Sequence, residues 1–256
     1  MYGLLVFVAI VIAVIVYNAR RKKSITAFVL PANAGEILET HVNFYKELSA
    51  ADKKVFEERV RDFLARTAIN GVEIQVTDTD KLLVAASAII PIFSFPDWRY
   101  NNISEVLLYK GTFDTNYKTK GSERNVLGMV GSGAMHGQMI LSQPALIGGF
   151  LNPTDGRNTA IHEFVHLIDK ADGSVDGVPE YLMSTPAIEP WLKNIHATIA
   201  QMRAKGRSDI NLYGATNEAE FFAVVSEYFF ERPKELQEKH PELYEALEQM
   251  FKPKNR

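Results

Sequence analysis

Within eight residues, His162, Glu163, His166 and Asp169 place four ionisable side chains in a stretch whose other members are Phe164, Val165, Leu167 and Ile168. Wound as a helix, this stretch is apolar on most sides, so it is buried in large part. Asn158 or Thr159 can cap its start. Ionisable groups carried into a core need partners. The histidine spacing says what one partner is. Imidazoles at i and i+4 project from one helical face, one turn apart, and can reach a single Zn2+ at about 2.0 to 2.1 Å. Glu163 is rotated off that face but stays beside it, where a carboxylate can take a proton from water activated by the metal.

Two histidines do not complete a catalytic zinc site, which needs a third protein ligand and an open position. The chain has no cysteine, so the third ligand is His, Asp or Glu. Asp169 shares the helix with both histidines and is poorly placed to close a tetrahedron. A role in the outer sphere, accepting a hydrogen bond from an imidazole or a neighbouring amide, stands beside a plain helix-end carboxylate. The stretch from Tyr213 to Phe230 offers a second apolar helix, capped by Asn217, with Glu220 and Glu227 seven residues apart. By spacing, Glu220 is either the third ligand or the first-turn member, three residues on, of a capping box with Asn217. Glu227 reads as a hydrogen-bonded core carboxylate or an ion-pair partner.

The rest of the chain bounds the setting. At 256 residues, 46% apolar, it can bury one catalytic-sized core. Its 28 basic and 31 acidic residues leave a formal charge of -3 without a field of one sign, so no nucleic-acid surface is indicated. Met1 to Tyr17 carry no charged side chain, and Arg20, Arg21, Lys22 and Lys23 follow at once. Such a helix spans roughly 25 Å, the lower limit for a bilayer core. With the basic cluster after the apolar run, the expectation is a single-pass anchor with the remaining chain in the cytoplasm. The domain expectation is an anchor over 1–19, a basic juxtamembrane segment and linker over 20–38, and one folded domain over 39–256.

That domain reads as α+β. Helical spacing runs through Val42, Phe44, Tyr45 and Leu48, and Ser49 with Asp52 caps a second helix carrying Val55, Phe56, Val60, Phe63 and Leu64. Gly71 to Val76 alternates as a strand, Leu82 to Ile90 fits a buried helix ended by Pro91, and Val106 to Tyr109 is another strand. Leu127 to Gly137, rich in Gly and Met, is expected to be a loop. Met139 to Leu141 then reads as a short strand, offered as an edge for an extended peptide, and Ser142 with Pro144 starts a helix. Pro241 to Phe251 is a charged amphipathic helix.

The block Asn158 to Asp169, followed by Tyr213 to Phe230 in that order, resembles the Mlc titration factor A family of zinc-dependent peptidases. The resemblance extends from about residue 40 to 235 and takes in Ala85 to Ile90 and Leu127 to Leu141. It implies a zincin-like domain with a mainly helical body and a small sheet. It implies Glu220 as the third metal ligand beside His162 and His166, Glu163 as general base, and Tyr213 as the active-site tyrosine that donates to the oxyanion. It further implies hydrolysis of peptide or protein substrates, with aminopeptidase character. A second expectation from another class is a zinc-dependent binding domain that sequesters a regulatory protein without turnover.

Overall fold

The computed structural model describes residues 28–252 except 115–117, 119–124, 132 and 153–154, together with Val6 and Phe7. The expected anchor over 1–19 therefore lies outside the described residues apart from those two. Among the described residues no helix is long and apolar enough to cross a membrane.

The fold is α+β, mainly helical, with a four-stranded sheet. Helices α1 (Ala34–His41) and α2 (Asn43–Lys46) precede α3 (Ala50–Arg66). The first of these starts inside the stretch read as linker and buries Ala34 and Leu38. Ser49 caps α3 as expected, its hydroxyl accepting the Asp52 amide at 3.1 Å. Strand β1 (Ala68–Val72) leads to α4 (Asp78–Ile92), then β2 (Glu105–Tyr109), β3 (Gly128–Val130), β4 (Gln138–Ser142) and α5 (Gln143–Leu151). The remaining helices are α6 (Thr159–Asp169), α7 (Thr185–Lys205), α8 (Glu218–Glu231), α9 (Pro233–Lys239) and α10 (Pro241–Phe251).

Three sequence expectations shift for local physical reasons. The strand expected over Gly71 to Val76 lies earlier, because the chain turns at its end. Glu73 takes a positive φ of 61°, and a Cβ on Gly71 would stand 2.2 Å from the Ile74 carbonyl oxygen, so only glycine admits the turn. Helix α4 starts at Asp78, before Leu82, because Thr77 and Asp80 form a reciprocal capping box. It continues through Pro91 to Ile92, where the Arg59 guanidinium donates to the Ile92 and Phe93 carbonyls at 2.7 and 2.8 Å, satisfying groups a helix end leaves without partners. The stretch expected to be a loop, Leu127 to Gly137, contains β3 and a short 3-10 turn at Gly133–Met135.

The sheet order is β1-β2-β4-β3, with β1, β2 and β4 parallel and β3 antiparallel to β4. Met139 to Leu141 therefore lies in an inner strand, and among the described residues the outer strands of the sheet are β1 and β3. Alternate side chains point to opposite faces. Val106, Leu108, Met139 and Leu141 enter the main core with α4, α6 and α8. Ile140, on the opposite face, joins a smaller cluster with Tyr109 and Phe113. Helix α6 runs through the middle of the main core. Phe164, fully buried, meets Phe63 at 5.6 Å and Tyr100 at 5.3 Å between ring centroids, and burial of such a ring is worth roughly 1.5 to 3 kcal/mol. Asn102 fixes the far end of α6 by donating to the Leu167 carbonyl at 2.8 Å.

Candidate metal centre

Asn158 begins the site. Its side-chain oxygen accepts the Ile161 amide at 3.1 Å, which starts α6 one turn before His162. Asn217 does the same for α8, accepting the Glu220 amide at 2.9 Å. Glu220 thus occupies the first turn of its helix, and both helices present their ionisable side chains to each other inside the core. No side-chain bond from Glu220 back to Asn217 completes a reciprocal box. Glu220 instead faces the histidines.

The three expected ligand atoms converge. His162 Nε2 lies 3.0 Å from Glu220 Oε2, His166 Nε2 lies 3.4 Å from the same oxygen, and the two Nε2 atoms are 3.1 Å apart. Among the described residues this is the one group of three His, Asp or Glu side chains so arranged. Bonds of 2.0 to 2.1 Å to a tetrahedral ion imply ligand separations of about 3.3 Å, so the spacing fits a zinc-sized cation.

Protonation makes the same point. His162 Nδ1 lies 2.7 Å from Glu227 Oε1 and is buried. A carboxylate only accepts, so Nδ1 carries the proton. The Nε2 lone pair of the neutral ring then faces a carboxylate oxygen and a second imidazole nitrogen, an arrangement that asks for a positive charge between them. The same demand shows as proton affinity. Burial would lower the His162 pKa, but hydrogen bonds to Glu220 and Glu227 outweigh it and hold it at about 10. Burial would raise the Glu220 carboxyl, yet hydrogen bonds from His162 and His166 keep it well below the usual carboxylate range. The donor set of two imidazoles and one carboxylate, oriented from behind, fits a divalent metal.

Glu227 makes a further bond. Its other oxygen accepts the Asn158 amide at 2.5 Å, so one carboxylate ties the start of α6 to the tautomer of His162. This agrees with its reading as a hydrogen-bonded core carboxylate. Asp169 is fully buried and accepts the Gly177 amide at 3.0 Å. Of the two outer-sphere partners considered for it, the structure supplies the amide. Burial, with the charges of Asp176 and Asp172 adding to it, pushes Asp169 up to about 6.

Glu163 is only 6% exposed. A Cβ on Gly128 would stand 2.7 Å from both the Glu163 Cγ and Oε1, and 2.8 Å from Thr159 Cγ2. Strand β3 therefore lies directly on the glutamate, and only a residue without a side chain lets it approach. Burial raises the Glu163 pKa, opposed by His162 and His166 and reinforced by Glu220 and Glu227. Tyr213 stands on the short 3-10 turn Leu212–Ala215, its ring centroid 6.0 Å from that of His162, and the residue is 54% exposed. Burial and then the adjacent Glu220 carboxylate push its phenol up to about 12, so it keeps its proton at neutral pH. The sequence-predicted residues His162, Glu163, His166, Tyr213 and Glu220 thus share one place. Gly128 and Gly177 were not singled out from sequence. The glycine-rich character of Leu127 to Gly137 was the available signal for the first, and the Asp176-Gly177 pair, a turn dipeptide, for the second.

Comparison with known proteins places this geometry in a family. The chain is 30% identical over 242 residues, 90% of its length and 87% of the relative's, to a protein of Synechocystis sp. named uncharacterized protein slr2042. It is 26% identical over 195 residues to Mlc titration factor A of Pectobacterium atrosepticum, covering 70% of this chain and 71% of the relative. It is 27% identical over 197 residues to the protein of the same name in Salmonella agona, covering 71% and 72%. A family model described as glucose-regulated metallo-peptidase M90 matches residues 16–252. The match runs across α6, α8 and every residue of the candidate metal centre, and the chain belongs to the glucose-regulated metallo-peptidase M90 family.

Proposed function

We propose that this protein is a zinc-dependent peptidase, with a zincin-like core, that hydrolyses peptide bonds using water. The observation that carries the reading is the convergence of His162, His166 and Glu220 at tetrahedral spacings beside a buried Glu163. Zinc held by these three side chains would supply Lewis acidity, able to polarise a carbonyl and acidify a water. The chain's own groups do the rest. Glu163 takes a proton from the attacking water and returns it to the amine as the carbon–nitrogen bond breaks. Burial, which raises its pKa, suits it to both tasks. Tyr213, protonated at neutral pH, donates to the oxygen that gains charge during attack.

Substrate reaches the site along β3. Leu127 and Gly131 use their backbone groups to bond β4, so the alternate residues Gly128 and Val130 direct theirs outward. Gly128 lies against Glu163, which brings an added peptide strand alongside the general base. Aminopeptidase character follows from the family resemblance. The apolar run from Met1 to Tyr17 and the basic cluster Arg20 to Lys23 support a membrane tether with the peptidase domain facing the cytoplasm.

The test is cleavage of a peptide library by the purified chain, lost on chelation and restored by zinc. An inert parent that holds its zinc would sink the peptidase reading. A second reading is favoured by the relatives named Mlc titration factor A: a domain that binds a regulatory protein, with zinc but without turnover. Zinc-dependent capture of a cellular protein by a chain that cleaves nothing in the library would support it.

A further inference from the structure

Gly177 is clamped from three directions. Its amide donates to Asp169 Oδ2 at 3.0 Å, at the end of α6. Its carbonyl accepts Trp191 Nε1–H at 2.7 Å, from α7. Its Cα rests on the first turn of α8, where a Cβ would stand 2.4 Å from the Glu218 carbonyl oxygen and 3.2 Å from the Ala219 amide nitrogen. The residue has φ of 76°, a left-handed conformation that suits glycine. Asp169 is fully buried and Trp191 nearly so. Trp191 also packs edge-on against Phe222 of α8, with ring centroids 6.0 Å apart. The first turn of α8 carries Glu220, two residues beyond Glu218.

We infer that Asp169, Gly177 and Trp191 form a wedge that sets the distance of the α8 N-terminus from α6, and so holds Glu220 within reach of His162 and His166. The three are positioning residues. Glu220 sits in the first turn of α8, where the chain leaves the Leu212–Ala215 turn, and Asn217 fixes only the local helix start. Glu227 ties the two helices together two turns further along, at His162 and Asn158. The Gly177 peptide supplies a second point of contact at the ligand end, and two points define the angle between the helices. The inference rests on the metal reading of the site, without requiring turnover.

Gly173 provides the control. It lies in the same connection with φ of 106°, and a Cβ there meets nothing within 4 Å. Gly173→Ala and Gly177→Ala therefore share the backbone strain, and only the second presses on α8. Zinc affinity of the full chain, measured by competition with a chromogenic chelator, should fall at least about tenfold in Gly177→Ala and stay within about threefold of the parent in Gly173→Ala. Trp191→Phe keeps most of the ring and removes the donor to Gly177. It should weaken zinc in the same direction, and it decides the matter if Gly177→Ala does not fold. The visible spectrum of the cobalt-substituted chain should shift in Gly177→Ala and Trp191→Phe, because the carboxylate ligand moves, and not in Gly173→Ala. Unchanged zinc affinity in both wedge variants, or an equal loss in Gly173→Ala, would overturn the inference. A parent that binds no zinc would overturn it together with the proposed function. A parent that binds zinc, shows the predicted series and cleaves nothing would leave the wedge standing and remove the peptidase reading.

Discussion

Glu227 Oε1 accepts the Nδ1 proton of His162 at 2.7 Å, and this bond decides which nitrogen of the ring is left for a metal. Because the same carboxylate accepts the Asn158 amide at 2.5 Å, the tautomer of His162 is coupled to the cap of its own helix. Glu227→Gln can hold the amide bond while weakening the hold on the imidazole. It should reduce zinc affinity by about tenfold to a hundredfold, whereas His162→Ala, His166→Ala or Glu220→Ala, each removing one of three protein bonds, should strip the metal. Metal analysis after dialysis separates the two classes. Full zinc in Glu220→Ala with loss in Glu227→Ala would reverse their roles.

Gly128→Ala tests the approach of β3 to Glu163, the proposed general base. The added methyl would stand 2.7 Å from Glu163 Oε1, so either the strand or the carboxylate must move. Hydrolysis should fall by about a hundredfold, the scale of an ångström-sized misplacement of a catalytic group, with zinc content unchanged. Activity equal to the parent would show that Glu163 does not need its present position.

How far the site was legible in the sequence depended on the range of the contact that builds it. His162 and His166 lie one turn apart on one helix, so their shared face follows from helical geometry. Glu220 meets His162 from 58 residues away. Its spacing fitted a capping box equally well, and the family resemblance supplied the preference. Strand β3 is not legible in the sequence because three residues including a glycine have little strand propensity. It forms because β4 offers an edge and because Gly128 can lie on Glu163. Gly71 to Val76 alternated convincingly, yet the positive φ at Glu73 turns the chain before the pattern is used. Gly177 carried only a turn signal, since its value lies in three partners on three helices.

Glu231 makes stability pH-dependent. Neither of its carboxylate oxygens, both buried, has a hydrogen-bond partner of normal geometry. Burial, then the charges of Glu227 and Asp155, push its pKa up to about 8 against a partial offset from the Arg157 amide and the Asn158 side chain. The folded pKa lies above the unfolded value of 4.5. The protonated folded form is therefore fully favoured below about 4.5, and that stability is lost as pH rises through about 8. Glu231→Gln should flatten this dependence and raise the melting temperature at pH 8.5, by an amount equivalent to about 1 to 3 kcal/mol. Thermal unfolding of parent and variant at pH 5.5 and 8.5 checks it, and an identical pH slope would contradict it.

The proposed membrane tether is tested by fractionation. A chain lacking residues 1–23 should leave the membrane fraction, and protease added outside intact cells should spare the full-length domain. Digestion of the domain under those conditions, or recovery of the full-length chain as soluble protein, would refute the expected topology.

The most direct test of the account is Glu163→Gln, read for zinc content and for peptide hydrolysis in the same preparation. The amide has nearly the same volume and leaves His162, His166 and Glu220 in place, but it cannot accept the proton of the attacking water. Zinc content and melting temperature should match the parent while hydrolysis falls by at least roughly a hundredfold, the lower range for loss of a positioned general base. A Glu163→Gln chain that keeps its zinc and hydrolyses peptides at the parent rate would contradict the account.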